Sequence, residues 1–159
     1  MYSRVKSILV LPFLLFGIFF QPSTALAAMT ISIGNIPSSV DQNQEFDADV
    51  LLVCSGCGDS YLRGALYKTG ESYFGFTKNA SGDWIATTSN KTQYFKIAQS
   101  DLIEGSWSGK LRVRPDVSST FFVGTGLYSF KVARYTSSNS NASWSNDLTI
   151  TVVGPTPTL

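Results

Sequence analysis

The chain has 159 residues, with 12 lysines and arginines against 11 aspartates and glutamates, and no histidine. So even a balance excludes the basic footprint of a nucleic-acid binder. The missing imidazole excludes Ser-His-Asp and Cys-His catalysis and histidine-ligated zinc, and two cysteines are too few for an all-cysteine zinc site in one chain.

Arg4 and Lys6 precede an apolar run from Ile8 to Phe20, which Gln21, Pro22 and Ser23 break before Ala25-Leu26-Ala27. This is the pattern of an export signal over residues 1–27, with cleavage after Ala27 or Ala28. The run is shorter than the ~20 apolar residues that span a bilayer, so no membrane insertion is expected after cleavage. What remains, roughly 130 residues, suits one domain over 28–153. Residues 154–159, Gly154-Pro155-Thr156-Pro157-Thr158-Leu159, alternate Pro with Thr and favour an extended linker or tail, which in a longer architecture would lead to a further domain.

No long stretch of the mature chain has helical apolar spacing; short alternating runs recur between turn residues. Ile31 and Ile33 mark a first strand closed by Pro37-Ser38-Ser39. Phe46, Ala48, Val50 and Leu52 form the core side of the next, with Asp47 and Asp49 opposite. Leu62, Gly64 and Leu66 alternate with Arg63, Ala65 and Tyr67. The stretches 73–77 and 84–88 flank the hairpin loop 79–83, Asn-Ala-Ser-Gly-Asp. Residues 94–97 form a short edge piece, 99–104 one helical turn, and 107–114 a strand with Leu111 and Val113 inward. Tyr128, Phe130 and Val132, then Leu148, Ile150 and Val152, make the last two strands. This pattern predicts an all-β antiparallel sandwich or barrel.

Gly126-Leu127-Tyr128-Ser129-Phe130 resembles the start of strand F in immunoglobulin-like domains, with Phe130 in the place of the family's second disulfide cysteine. The stretch from Tyr128 to Tyr135, with Trp144-Ser145 before the final strand, is similar to the closing hairpin of fibronectin type III domains. The resemblance implies a single antiparallel immunoglobulin-like β-sandwich of about seven to nine strands. It also implies that Tyr128 is a structural tyrosine corner, its hydroxyl tied to the backbone. The chain departs from the pattern in lacking the inter-sheet disulfide and a tryptophan on the third strand.

Cys54-Ser55-Gly56-Cys57 invites three readings: a redox centre, half a metal site, or a structural disulfide formed after export. A redox thiol wants a helix N-terminus, whereas Cys54 follows an apolar strand; a metal needs two further ligands. The disulfide is therefore expected, pinning a loop at the end of the sandwich where binding loops gather.

No pair of carboxylates forms a recognisable glycosidase constellation; Asp101 and Glu104 suit a turn, and Asp47 and Asp49 a strand face. Calcium wants a denser acidic loop. No catalytic residue, metal ligand or cofactor is expected. Tyr67, Tyr73, Phe74 and Trp84, with Phe76, make the middle of the chain aromatic; they are either half core and half cross-strand pairs, or a platform for sugar rings. Asn79-Ala80-Ser81, Asn90-Lys91-Thr92 and Asn141-Ala142-Ser143 match the glycosylation acceptor pattern. The expectation is a non-enzymatic module, secreted or on the cell surface, serving adhesion, recognition or spacing with an extracellular protein or glycan as ligand. A carbohydrate-binding module is the first alternative, and a thiol-disulfide or metal protein built on Cys54 and Cys57 the second.

Overall fold

The computed structural model describes residues 29–138 and 141–154. The export signal over 1–27 and the tail from 155 onward lie outside the described residues. In chain order the strands are β1 (Met29–Gly34), β2 (Ser39–Asp41), β3 (Phe46–Cys54), β4 (Ser60–Tyr67), β5 (Phe76–Lys78), β6 (Trp84–Ala86), β7 (Phe95–Ile97), β8 (Ser106–Arg114), β9 (Gly126–Tyr135), β10 (Ser143–Trp144) and β11 (Leu148–Val153). Two short 3-10 turns, Lys91–Gln93 and Gln99–Asp101, interrupt them. The surplus over the expected number consists of two- and three-residue pieces too short to show an alternation.

The fold is all-β, built of two sheets. One runs β1-β3-β8-β5-β6; the other runs β2-β11-β9-β4-β7, with β10 also on β9. The expectation of purely antiparallel pairing needs one correction: β2 runs parallel to β11, Val40 beside Val152. This follows from Pro37 and the left-handed Asn35 (φ 50°), which carry the chain from the first sheet to the second between β1 and β2. Asn146 closes the exposed edge that this crossing leaves. Its Oδ1 accepts the Ile33 N–H at 2.9 Å and its Nδ2 donates to the Ile33 carbonyl at 3.2 Å.

The inward rows interlock in one apolar core. Ala48, Leu52, Leu62, Leu66, Leu111, Val113, Phe130, Val132, Ile150 and Val152 are fully buried. Across the sheets the Phe46 and Phe130 rings meet edge to face at 5.3 Å, so an aromatic contact stands at the position where the family resemblance leads one to look for a disulfide.

Strand β4 is buried on both faces, beyond what its simple alternation predicts. Its inner row includes Gly64, where Val113 of the other sheet packs tightly against the backbone. Its outer edge is covered in three pieces: β7 pairs with Ser60 to Leu62, Phe74 bonds Leu66 in both directions, and the Gly64 N–H between them donates to Thr77 Oγ1 at 2.9 Å. Thr77 sits on β5 in the opposite sheet and is 1% exposed. Thr77→Val keeps the shape but leaves that buried N–H without a partner, so it is expected to lower stability by about 1–3 kcal/mol in urea unfolding. A stability equal to the parent would show that the Gly64 N–H finds water instead.

Candidate functional site

The disulfide Cys54–Cys57 is present, its Cα atoms 5.7 Å apart. Cys54 is the last residue of β3 and fully buried; its N–H donates to the Gly105 carbonyl at 2.7 Å. The loop thus rests on the tight turn at Glu104 and Gly105, both with positive φ. A strand end gives a thiolate no helix dipole, and among the described residues no three acidic or cysteine side chains gather as metal ligands. Cys54→Ala/Cys57→Ala is expected to cost about 2 kcal/mol or less, as a ring this small restricts the unfolded chain little. A loss well above that in the melting curve would mark the bridge as a main support of the fold.

The aromatic residues of the middle of the chain separate into three places. Phe74 is 1% exposed and packs on Tyr128 and Phe122 in the core, which puts its ring out of reach of a ligand. Trp84 lies on β6 at the edge of the first sheet, half-buried, with Arg114 at 4.6 Å and Lys78 at 5.3 Å from its ring centre. Tyr67 and Tyr73 come together on the outer face of the second sheet, edge to face at 5.3 Å.

That outer face gathers aromatic rings from several segments of the described chain. Period two turns Tyr61, Arg63, Ala65 and Tyr67 of β4 outward, beside Tyr135, Ala133, Lys131 and Ser129 of β9. Trp144 on β10 lies opposite Ala133, 4.7 Å from Tyr73, and Tyr94 stacks on Tyr135 at 6.0 Å. Two cations are set among these rings. Lys131 Nζ is 4.5–4.9 Å from the centres of Tyr67, Tyr73 and Trp144. The Arg63 guanidinium is 5.4–5.8 Å from Tyr73, Tyr94, Tyr135 and Trp144. Arg63 is 9% exposed, donates from Nη1 to the Thr87 carbonyl at 3.0 Å, and among the described residues has no partner at Nε.

Rings and one carboxylate, Asp147, surround these charges. Asp147 accepts from the Tyr67 hydroxyl at 2.9 Å. Burial works against the Lys131 charge, but the Tyr73 hydroxyl, Tyr67 and Asp147 outweigh it and hold its pKa above the ordinary lysine value. Sequence reading found Tyr67 and Tyr73 but missed Arg63, Lys131, Tyr94, Tyr135 and Trp144. Arg63 and Lys131 are two of many polar positions in an alternating strand, and Trp144 and Tyr94 arrive from distant segments.

Tyr128 is 1% exposed and its hydroxyl donates to the Gly124 carbonyl at 2.6 Å. Asn79 and Asn90 of the glycosylation-like triplets act as turn caps. Asn79 Oδ1 accepts the Ser81 and Asp83 N–H groups, and Asn90 Oδ1 accepts the Thr92 N–H. Asp101 caps its own turn through the Ala98 N–H.

Carboxylates that shift do so downward. Arg112 hydrogen-bonds Asp47, Lys110 and then Asn35 hydrogen-bond Asp49, and Lys96 and then the Gln99 N–H hydrogen-bond Asp59. Burial raises Tyr67, Tyr94, Tyr128 and Tyr135 above the ordinary phenol value. The signs give a plateau. Lowered acids contribute stability above their ordinary value of 3.8, lost as pH falls through the lowered pKa values. Raised phenols contribute stability below their ordinary value of 10, lost as pH rises through the raised ones. Urea midpoints across this range are expected to be flat between those limits and to fall outside both; a maximum at one end would contradict the assignment.

No family model matches the chain, and no curated protein matches it. Among solved structures it is similar to a conjugative transposon lipoprotein from Bacteroides eggerthii, at 15% identity and TM-score 0.43, over 77% of this chain and 95% of that one. AvmM, which catalyses macrocyclization in alchivemycin A biosynthesis, is similar at 9% identity and TM-score 0.43, over 82% and 91%. A β-glucosidase from Listeria innocua is similar at 10% and 0.43, over 82% of this chain and 16% of that one. Identities this low assign no function. Among the described residues no helix is long and apolar enough to cross a membrane.

Proposed function

We propose that the chain is a non-enzymatic, exported immunoglobulin-like module, on the cell surface or secreted, that serves recognition and spacing. The observation that carries this reading is the strand order. β1-β3-β8-β5 facing β2-β11-β9-β4-β7, with the first strand split between the sheets, supports the reading by its likeness to the A-B-E-D and A′-G-F-C-C′ order of such domains. One departure is the β5–β6 hairpin, which precedes β7 in the chain. The Tyr128–Gly124 bond suits a tyrosine corner. The described chain enters at the disulfide end, Met29 opposite Cys54, and leaves at the other, Val152 opposite Gly126. That polarity suits a module held in series.

A carbohydrate platform is the second reading, favoured by the meeting of Tyr67, Tyr73 and Trp144 on one face. Against it, the rings are tilted by 37° and 73° to one another rather than coplanar, and the protein's own cations stand close to them. Expression of the full chain tests export: the product should begin near Ala28 outside the cytoplasm, and an uncleaved cytoplasmic chain would refute that half. A glycan array and insoluble polysaccharides test the binding half. No retention of the folded product supports recognition of protein; retention lost in Trp144→Ala or Trp84→Ala would make it a carbohydrate module.

A further inference from the structure

Strand β8 is bordered unequally on its two sides. On one side β3 pairs with it from Ser106 to Val113. On the other, β5 pairs only with Val113 and Arg114, and a bridge between Ile103 and Ser106 closes the far end. Between these closures, over 107–111, no strand borders β8 among the described residues; the place beside Arg112 is taken by Lys78, the last residue of β5. At the rise of a strand the gap is roughly 17 Å long. Ser106 exchanges both its backbone bonds with Ile103 on this side, at 2.9 and 2.8 Å. Antiparallel alternation therefore turns the N–H and C=O groups of Ser108 and Lys110 into the gap.

The gap has walls. A cavity of about 280 Å³ beside it is lined by Asp47, Lys78, Asn79, Phe95, Lys110 and Arg112, three cations against one carboxylate. Phe95 and Trp107, ring centres 5.8 Å apart, make the inner wall. Gly109 keeps that wall low: a Cβ there would fall 2.5 Å from the Trp107 ring.

We propose that this open stretch of β8 takes up an extended acidic segment of a protein partner as an added strand. Two backbone donors and two acceptors at Ser108 and Lys110 supply the pairing. In such a pairing, residues opposite Ser108 and Lys110 share the outward face of Lys110 and Arg112, where acidic side chains come within reach of both cations; alternate residues turn inward to Phe95 and Trp107 and must be small or apolar. Asp49 and Asp47 already hold Lys110 and Arg112 from the β3 side. Glu45 also reaches Arg112, at 3.2 Å. All three pairs are exposed and weak, so an incoming carboxylate can join Asp49 at Lys110 or exchange with one of the two at Arg112. The proposal deepens the reading of the chain as a recognition module and is read out at β8, away from Tyr67, Lys131 and Trp144; its failure would leave the outer face of the second sheet as a recognition surface.

The probe is an acetylated, amidated peptide alternating glutamate and valine, Glu-Val-Glu-Val-Glu, added to the exported protein while amide hydrogen exchange is followed. Exchange at Ser108 and Lys110 should slow by about tenfold or more at saturation, with a change in Trp107 emission. The same peptide methylated at alternate backbone nitrogens should give no protection, and a lysine-for-glutamate peptide should bind about tenfold more weakly. Lys110→Pro should fold, because the Lys110 N–H faces the gap and has no strand beside it among the described residues, and should not bind. Unchanged exchange at millimolar peptide, or equal protection by the methylated peptide, overturns strand addition. Equal binding of the lysine peptide overturns the choice of an acidic partner.

Discussion

Gly64→Val is expected to remove about 3 kcal/mol or more of stability, a large share of the 5–15 kcal/mol a domain of this kind possesses. A Cβ added at residue 64 would lie 2.5 Å from Val113 Cγ2, 3.1 Å from Cγ1 and 3.2 Å from the Phe130 ring. Val113 is β-branched and fully buried, so its methyls have nowhere to turn. The backbone cannot retreat either, as the Gly64 N–H is held by Thr77 from the opposite sheet. Gly109→Ala makes the informative comparison. Its Cβ would meet a contact just as short, 2.5 Å, with the Trp107 ring, but this side chain is only half-buried and can swing outward. A cost below about 1.5 kcal/mol is expected there. Urea unfolding of both variants checks the pair; a Gly64→Val protein as stable as the parent would mean that the sheets do not approach so closely at that point.

Arg63→Ala is expected to cost about 2–4 kcal/mol, because it empties the space between Tyr73, Tyr94, Tyr135 and Trp144 as well as removing the cation. Four rings and the Thr87 carbonyl stabilise the guanidinium, while its desolvation and the unpartnered Nε oppose this. The two sides nearly offset, so packing accounts for most of the loss, and Arg63→Met should recover more than half of it. One further consequence has a definite sign. Burial raises the Tyr94 phenol and Arg63 pulls it back, so Tyr94 should titrate at still higher pH in Arg63→Met. Unfolding curves and an alkaline absorbance titration read both effects; an Arg63→Ala protein of parental stability would show the rings closing over the space without it.

The strands that carry the core were legible because alternation is a local signal. Ile31 and Ile33, Phe46 to Leu52, and Tyr128 to Val132 turn inward as period two requires. The hairpin across Asn79 to Asp83 was legible too, since Gly82 adopts the positive φ that such a loop needs. Short pieces were not: β2 and β10 are defined by what they lie beside, and two or three residues have no period. The parallel pairing of Val40 with Val152 joins positions far apart in the chain that nothing local connects.

The aromatic face was half legible, for a related reason. Tyr67 and Tyr73 stood out by composition, but the same criterion admitted Phe74, which the core absorbs, and Trp84, which belongs to the other sheet. What makes the face distinctive is the placing of Arg63 and Lys131 among rings drawn from β4, β9, β10 and the loops before β5 and β7. Only the folded arrangement brings those segments together, and no residue type announces it.

The outer face of the second sheet is held by the protein's own cations, Arg63 and Lys131. Proton NMR of the Arg63 and Lys131 side chains tests this most directly. Ring currents from Tyr73, Tyr94, Tyr135 and Trp144 should move the Arg63 δ and ε protons well upfield of their random-coil positions, and those from Tyr67, Tyr73 and Trp144 should do the same for the Lys131 ε protons. Adding a soluble oligosaccharide should leave both sets unmoved. Random-coil shifts in the free protein, or shifts that change on titration with the sugar, would contradict the account.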